Sequence, residues 1–247
     1  LLGMLDRMAE LRAGELPPAE LRRRILQENL FGVDRNPMAV RLAELRLWLE
    51  VVGSDPTETP GAIAPLPNLD ALIRQGDSLS DPVAGLPLPP PGPADAAQLT
   101  ALRQTVIGAT GALKRSAVAA LIGTERRIAE SAFASAVGTL DSRIAELLWT
   151  ARSPSLFGER RGLTKADRGV LSALRSSRRR ARTQLRAIVR QGEVPWFHYA
   201  VHFADVTESG GFDLVVGNPP WVRAEALDRE QRRYFAERFR WFQGGRD

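Results

Sequence analysis

Leu30-Phe31-Gly32-Val33-Asp34, followed by Arg35-Asn36-Pro37-Met38, reads as a short apolar strand that ends in an acid and turns directly into a helix. Asn36 is a favoured N-cap and Pro37 a favoured first helical residue, so the turn between them is short. The helix predicted from Met38 to about Val52 carries Val40, Leu42, Leu45, Leu47, Trp48 and Leu49, more apolar surface than one stripe needs, and all six are expected to be buried. Strand, turn and helix in that order begin a βαβ unit. Before it, Leu2, Leu5 and Met8, then Leu21 and Ile25, fall at helical spacing around Gly14 and Pro17-Pro18, which predicts two helices. After it, Leu69 to Gln75 is a second strand candidate, running into Gly76-Asp77-Ser78-Leu79. Leu86 to Pro93 holds five prolines in eight residues and reads as a polyproline-like connector. Residues 94 to 190 are rich in Ala, Leu and Arg, with helical periodicity and no strand signal. Phe212 to Val216 is a third strand candidate, leading into Gly217-Asn218-Pro219-Pro220-Trp221, with a helix expected from Glu225 to Phe239. Each strand has a polar group at its C-terminal end, where open α/β sheets bind ligands. The expected organisation is an α/β core at 1–93 and 193–247 interrupted by a helical insertion at 94–192.

The 247 residues are 44% hydrophobic and 26% charged, an ordinary globular composition. No apolar run approaches the roughly 18 residues of a membrane span, so a cytoplasmic protein is expected. With no Cys there is no disulfide framework, thiolate zinc site or cysteine nucleophile here, which also excludes cysteine attack at cytosine C5. Two histidines and no HExxH pattern argue against a zinc hydrolase, and no metal is expected. The net charge is +5, and all 34 basic residues except Lys114 and Lys165 are arginines. The first residue is Leu1, which reads as part of a longer reading frame.

Phe212-Asp-Leu-Val-Val-Gly-Asn-Pro-Pro-Trp221 is the most specific chemical signal. An apolar strand delivers an amide, two prolines without N–H groups stiffen the backbone, and an aromatic follows. Such a loop can accept hydrogen bonds from an exocyclic amino group through the Asn218 side-chain oxygen and the Pro219 carbonyl, while Trp221 offers a stacking face. Taken locally, the same residues also describe a proline-stiffened turn with a core tryptophan.

Asn-Pro-Pro-aromatic after Phe-Asp-Leu-Val-Val-Gly resembles the acceptor motif of S-adenosylmethionine-dependent N6-adenine DNA methyltransferases. Trp196-Phe197-His198 through Phe203, with Gly210-Gly211-Phe212-Asp213, is similar to the approach to that motif in large restriction–modification methylases, including type IIG and phage-exclusion enzymes. Phe31 to Val40 with Leu45-Arg46-Leu47-Trp48-Leu49 resembles their second motif, and Leu66 to Asp70 with Gln75 to Leu79 the third. The resemblance implies a Rossmann-like class I methyltransferase core, with Asp34 binding the ribose hydroxyls of the donor and Asp77, Ser78 and Leu79 beside its adenine. Singly, Asp34 also reads as a helix N-terminal acid and Asp77 as a turn residue. Asn218, Pro219, Pro220 and Trp221 would receive an adenine flipped out of double-stranded DNA, at a cost of a few kcal/mol. The implied reaction is direct displacement of the sulfonium methyl by the N6 nitrogen, with positioning and electrostatics as the catalytic means.

Two features depart from the family pattern. Trp221 stands where Tyr or Phe is commoner, and no glycine-rich loop of the kind that receives the donor's methionine end is found. Gly108-Ala-Thr-Gly111 has the wrong spacing for a phosphate loop and follows a helix. The chain is therefore expected to be an internal segment of a methylase, incomplete at its N-terminus, fused to or associated with restriction or defence components.

Residues 151 to 190 carry twelve Lys or Arg against Glu159 and Asp167. Arg175, Arg179, Arg182, Arg186 and Arg190 recur at helical spacing, opposite Leu171, Leu174, Leu185 and Ile188, and could follow DNA phosphates or simply form a solvated face. His198 and His202, four apart, lack a third metal ligand and read as packing residues. Methylation of RNA or of a protein glutamine amide, and a non-catalytic DNA-binding or scaffold role, remain alternatives on the sequence.

Overall fold

The computed structural model describes residues 1–57, 63–83, 86, 88–153, 162–218, 232 and 234–236. Helices α1 (Leu2–Leu11) and α2 (Pro18–Glu28) precede strand β1 (Gly32–Asp34), and helix α3 (Pro37–Gly53) follows it. The expected turn chemistry is present. Asn36 Oδ1 accepts the Met38 N–H at 2.9 Å, and the Asn36 N–H donates to Asp34 Oδ1 at 2.7 Å. Strand β2 (Ile73–Gln75) pairs parallel with β1, setting Gly32 opposite Ile73 and Asp34 opposite Gln75. The strand predicted from Leu69 is thus only three residues long. Leu69 to Leu72 instead form a tight turn in which the Leu69 carbonyl accepts the N–H groups of both Leu72 and Ile73 at 2.8 Å.

α3 shows one core-facing stripe, Val40, Glu44, Leu47 and Val51. Leu42, Leu45 and Leu49, expected inside, are exposed at 49%, 49% and 59%. The helix is apolar around much of its girth, but among the described residues β1, β2, α1 and α2 cover only one side of it.

The helical region consists of α4 (Pro93–Gly108), α5 (Gly111–Arg152) and α6 (Lys165–Gln191), with α5 packed between the other two. Thr164 and Asp167 form a reciprocal capping box at the start of α6, and Gly192 closes it in the left-handed conformation at φ 78°. These helices do not keep a core of their own. Leu99, Leu121, Phe133 and Ile188 share one apolar cluster with Ala71, Val83 and Val201, while Ile107 buries with Leu5, Ile25, Leu47 and Leu72 against the sheet. Asn68 secures that join: its Nδ2 donates to the carbonyls of Val106 at 2.7 Å and Ala109 at 2.6 Å, the first of which also accepts the Ala109 N–H at 3.3 Å.

Short helices α7 (Tyr199–His202) and α8 (Ala204–Glu208) lead to residues 212–216. The strand predicted there is absent. The run is irregular, with Leu214, Val215 and Val216 exposed at 63%, 76% and 70%. A strand exists only through a hydrogen-bonded neighbour, and the run lies across a cleft of about 1010 Å³ from β1 rather than beside it. Most of the helix expected from Glu225 to Phe239 lies outside the described residues; 232 and 234–236 within it are helical. No described helix is long and apolar enough to cross a membrane.

Candidate active site

Because β1 and β2 run parallel, the acids that follow them emerge at one edge. The Gly76 N–H donates to the Asp34 carbonyl at 2.8 Å, which brings the Asp77 turn beside Asp34. Asp34 is exposed; its Oδ1 is held by Asn36, and its Oδ2 has no partner among the described residues. Asp77 Oδ1 shapes its own turn by accepting the N–H groups of Leu79 at 2.9 Å and Ser80 at 3.2 Å, while Oδ2 stands 3.9 Å from Arg35 Nε. One oxygen of each acid thus builds its turn.

Segment 196–203 packs on that edge from outside the sheet. Gly76 touches Phe197 so closely that a Cβ on Gly76 would stand 2.1 Å from the Phe197 Cβ. Burial pushes the Tyr199 hydroxyl above its ordinary pKa, with Ser78 acting in the opposite sense. Phe203 meets Phe31 edge-on at 5.1 Å, and Phe212 completes the cluster at 5.4 Å from Phe31. Through these rings the chain that leads to Asn218 is anchored against the residue preceding β1. Asp34 and residues 212, 213, 214 and 216 line the same cleft. Asn218 itself is exposed. Pro219, Pro220 and Trp221 lie outside the described residues.

The aromatic cluster rests on a buried ion pair that the sequence did not reveal. Arg103 bonds Asp205 at 2.5 Å and the His202 carbonyl at 2.5 Å, and lies 5.5 Å and 5.4 Å from the ring centres of Phe31 and Phe203. On the other side, Arg74 pairs with Glu125 of α5, whose carboxyl burial raises above the usual range despite that partner. His202 is buried and stacks on Phe197 at 5.3 Å; burial, then the charge of Arg74, holds its imidazole well below 6.5. This is a packing role, and no group of metal-ligating side chains occurs among the described residues.

On α6, Arg175, Arg179, Arg182 and Arg186 are all exposed and line one shallow groove of about 290 Å³. Arg182 is partly committed elsewhere: with Arg178 it holds Asp141 of α5, at 3.0 Å and 2.6 Å, and this holds the Asp141 carboxyl below its usual range.

A curated relative from Methanocaldococcus jannaschii, provisionally described as a type II restriction enzyme and methyltransferase, is 24% identical over 225 residues, covering 80% of this chain. The chain spans 18% of that relative's length. No solved structure matches. The Eco57I restriction-modification methylase family matches from residue 28 to residue 246, a span that includes both edge acids, the helical region and Asn218, and the chain belongs to that family.

Proposed function

We propose that the chain supplies donor-binding and acceptor residues of a methyltransferase acting on the N6 amino group of adenine in double-stranded DNA, in a cytoplasmic restriction-modification or phage-defence system. Its core would be Rossmann-like, interrupted by the helical region at 94–192. The observation that carries this reading is the shared edge: Asp34 and Asp77 emerge together from a parallel strand pair, and the chain leading to Asn218 lines the same cleft as Asp34. Family membership and the name of the relative support the class of reaction and the restriction context.

The edge suits S-adenosylmethionine, which when bound supplies an electrophilic methyl group. Asp34, with one carboxylate oxygen left unpaired, would accept hydrogen bonds from a ribose diol, and Asp77, Ser78 and Leu79 would flank the adenine. On the acceptor side, the Asn218 amide oxygen and the Pro219 carbonyl would take the hydrogens of the target amino group. That draws electron density onto a nitrogen whose lone pair is otherwise delocalised into the ring. Two prolines remove competing N–H donors, and Trp221 stacks on the flipped base. Arg175, Arg179, Arg182 and Arg186 would contact backbone phosphates.

The test is S-adenosylmethionine titration and methyl transfer in the full-length protein. Donor binding, with N6-methyladenine appearing in duplex DNA, is expected; Asn218→Ala should abolish transfer while leaving donor affinity within about twofold. Absence of donor binding overturns the reading, and persistent transfer by Asn218→Ala overturns the acceptor assignment.

A further inference from the structure

Asp81, just beyond the Asp77 turn, is the meeting point of three stretches far apart in sequence. Its Oδ2 accepts the Tyr234 hydroxyl at 2.9 Å, and its own N–H donates back to the Tyr234 oxygen at 3.2 Å. Its Oδ1 faces His198 Nε2 at 3.4 Å. The tautomer follows from the other ring nitrogen: His198 Nδ1 accepts the Ala200 N–H at 3.2 Å, so the proton of the neutral ring is on Nε2, directed at Asp81. Tyr234 is 7% exposed, so its hydroxyl needs these partners.

Tyr234 lies sixteen positions after Asn218 on the same chain. Described residues on both sides of Asn218 therefore contact the edge that carries Asp34 and Asp77. On its near side, Phe212 is lodged against Phe31, which precedes β1. On its far side, Tyr234 is bonded to Asp81, which follows β2. Asp81 is in turn braced by His198, next to the Phe197 that presses on Gly76.

We infer that Asp81 and Tyr234 are positioning residues that tie the chain beyond Asn218 to the loop that follows Asp77. The inference rests on the methylation reading, since it assigns Asp77 to the donor and Asn218 to the amino group. A reciprocal pair of hydrogen bonds resists sliding of one chain along the other, because a shift breaks both together. Near-attack geometry is sensitive to displacements of about 1 Å, so loosening this tie should slow methyl transfer by roughly tenfold or more without weakening the donor site.

The decisive variant is Tyr234→Phe in the full-length protein, which removes one oxygen and keeps the ring. Turnover is expected to fall about tenfold or more, while donor affinity and the melting temperature stay near those of the parent. Amide exchange at residues 77–81 is expected to quicken, whether or not the protein methylates. Asp81→Asn should behave similarly, because an amide offers only one acceptor oxygen to two donors. Parental turnover in Tyr234→Phe overturns the inference. If the parent binds donor but methylates no adenine, the functional reading fails by itself, and exchange decides the tie: unchanged protection at 77–81 overturns it.

Discussion

Arg103 of α4 and Asp205 of α8 form a buried pair at 2.5 Å that stands behind the aromatic rings leading to Asn218. Asp205 Oδ1 and Arg103 Nε have no hydrogen-bond partner among the described residues, so the pair is incompletely satisfied. Breaking such a pair costs more than replacing it, because the survivor is left charged in an apolar setting. Arg103→Met is expected to lower unfolding free energy by about 3–5 kcal/mol, and Arg103→Met with Asp205→Leu to recover most of the loss. Urea unfolding of both variants checks this; equal destabilisation would refute it.

Acid should destabilise the fold well above the carboxylate range. His202 is held neutral below 6.5 in the folded chain, so between 6.5 and that lower value the unfolded chain binds a proton that the folded chain refuses. Stability from this group is complete above 6.5 and is lost as pH falls, by at most about 1.4 kcal/mol per pH unit. His202→Asn should flatten that slope in denaturant titrations between pH 7 and 5. Glu125 acts in the opposite sense: its carboxyl is raised above 4.5, so its contribution is complete below 4.5 and declines as pH rises.

Asn68→Ala removes the side-chain donor to the Ala109 carbonyl and leaves the Val106 carbonyl with the Ala109 N–H alone. The expected cost is about 1–3 kcal/mol, the range for leaving buried polar groups unpaired. Amide exchange should quicken first where α4 meets α5, a pattern that a global loss of stability would not produce.

Arginines on α6 divide into two kinds. Arg175→Gln, Arg179→Gln and Arg186→Gln together should leave stability within about 0.5 kcal/mol and reduce the salt dependence of DNA binding by about 0.9 per charge that contacted phosphate. Arg178→Gln, which leaves Asp141 with Arg182 alone, should instead shift stability and spare DNA affinity. An unchanged salt slope in the triple variant would remove α6 from the DNA interface.

Gly76→Ala places a methyl group 2.1 Å from the Phe197 Cβ, and the Phe197 backbone lies 3.1 Å away, so no side-chain rotation relieves the clash. Destabilisation of about 1–3 kcal/mol is expected from such overpacking, and, on the proposed role of Asp77, the next residue, a loss of S-adenosylmethionine binding. Calorimetric titration of the donor tests the second part.

These sites show where local reading succeeds and where it stops. Asp34, Asn36 and Pro37 declared a strand end and a helix start because capping depends on neighbours two residues away. Asp77 was legible for the same reason. The Arg103–Asp205 pair and the contacts of Phe31 with Phe203 and Phe212 join residues about a hundred or more positions apart, with no local pattern to announce them. Leu42, Leu45 and Leu49 were misplaced because apolarity shows what a helix could bury, not which neighbours are there to cover it. Phe212 to Val216 has strand composition, but strand formation depends on a partner edge that composition cannot specify.

The contact between Gly76 and Phe197 also has a kinetic meaning. These residues are roughly 120 positions apart, and most of the intervening chain is helical, built from local contacts that form quickly. Docking of Phe197 onto the β2 turn is the opposite kind of event, since it closes a long loop and must await the helices. The edge that carries Asp34 and Asp77 is thus expected to be the last part of the chain to take shape during folding and to lag behind α5 and α6 in pulse-labelled exchange.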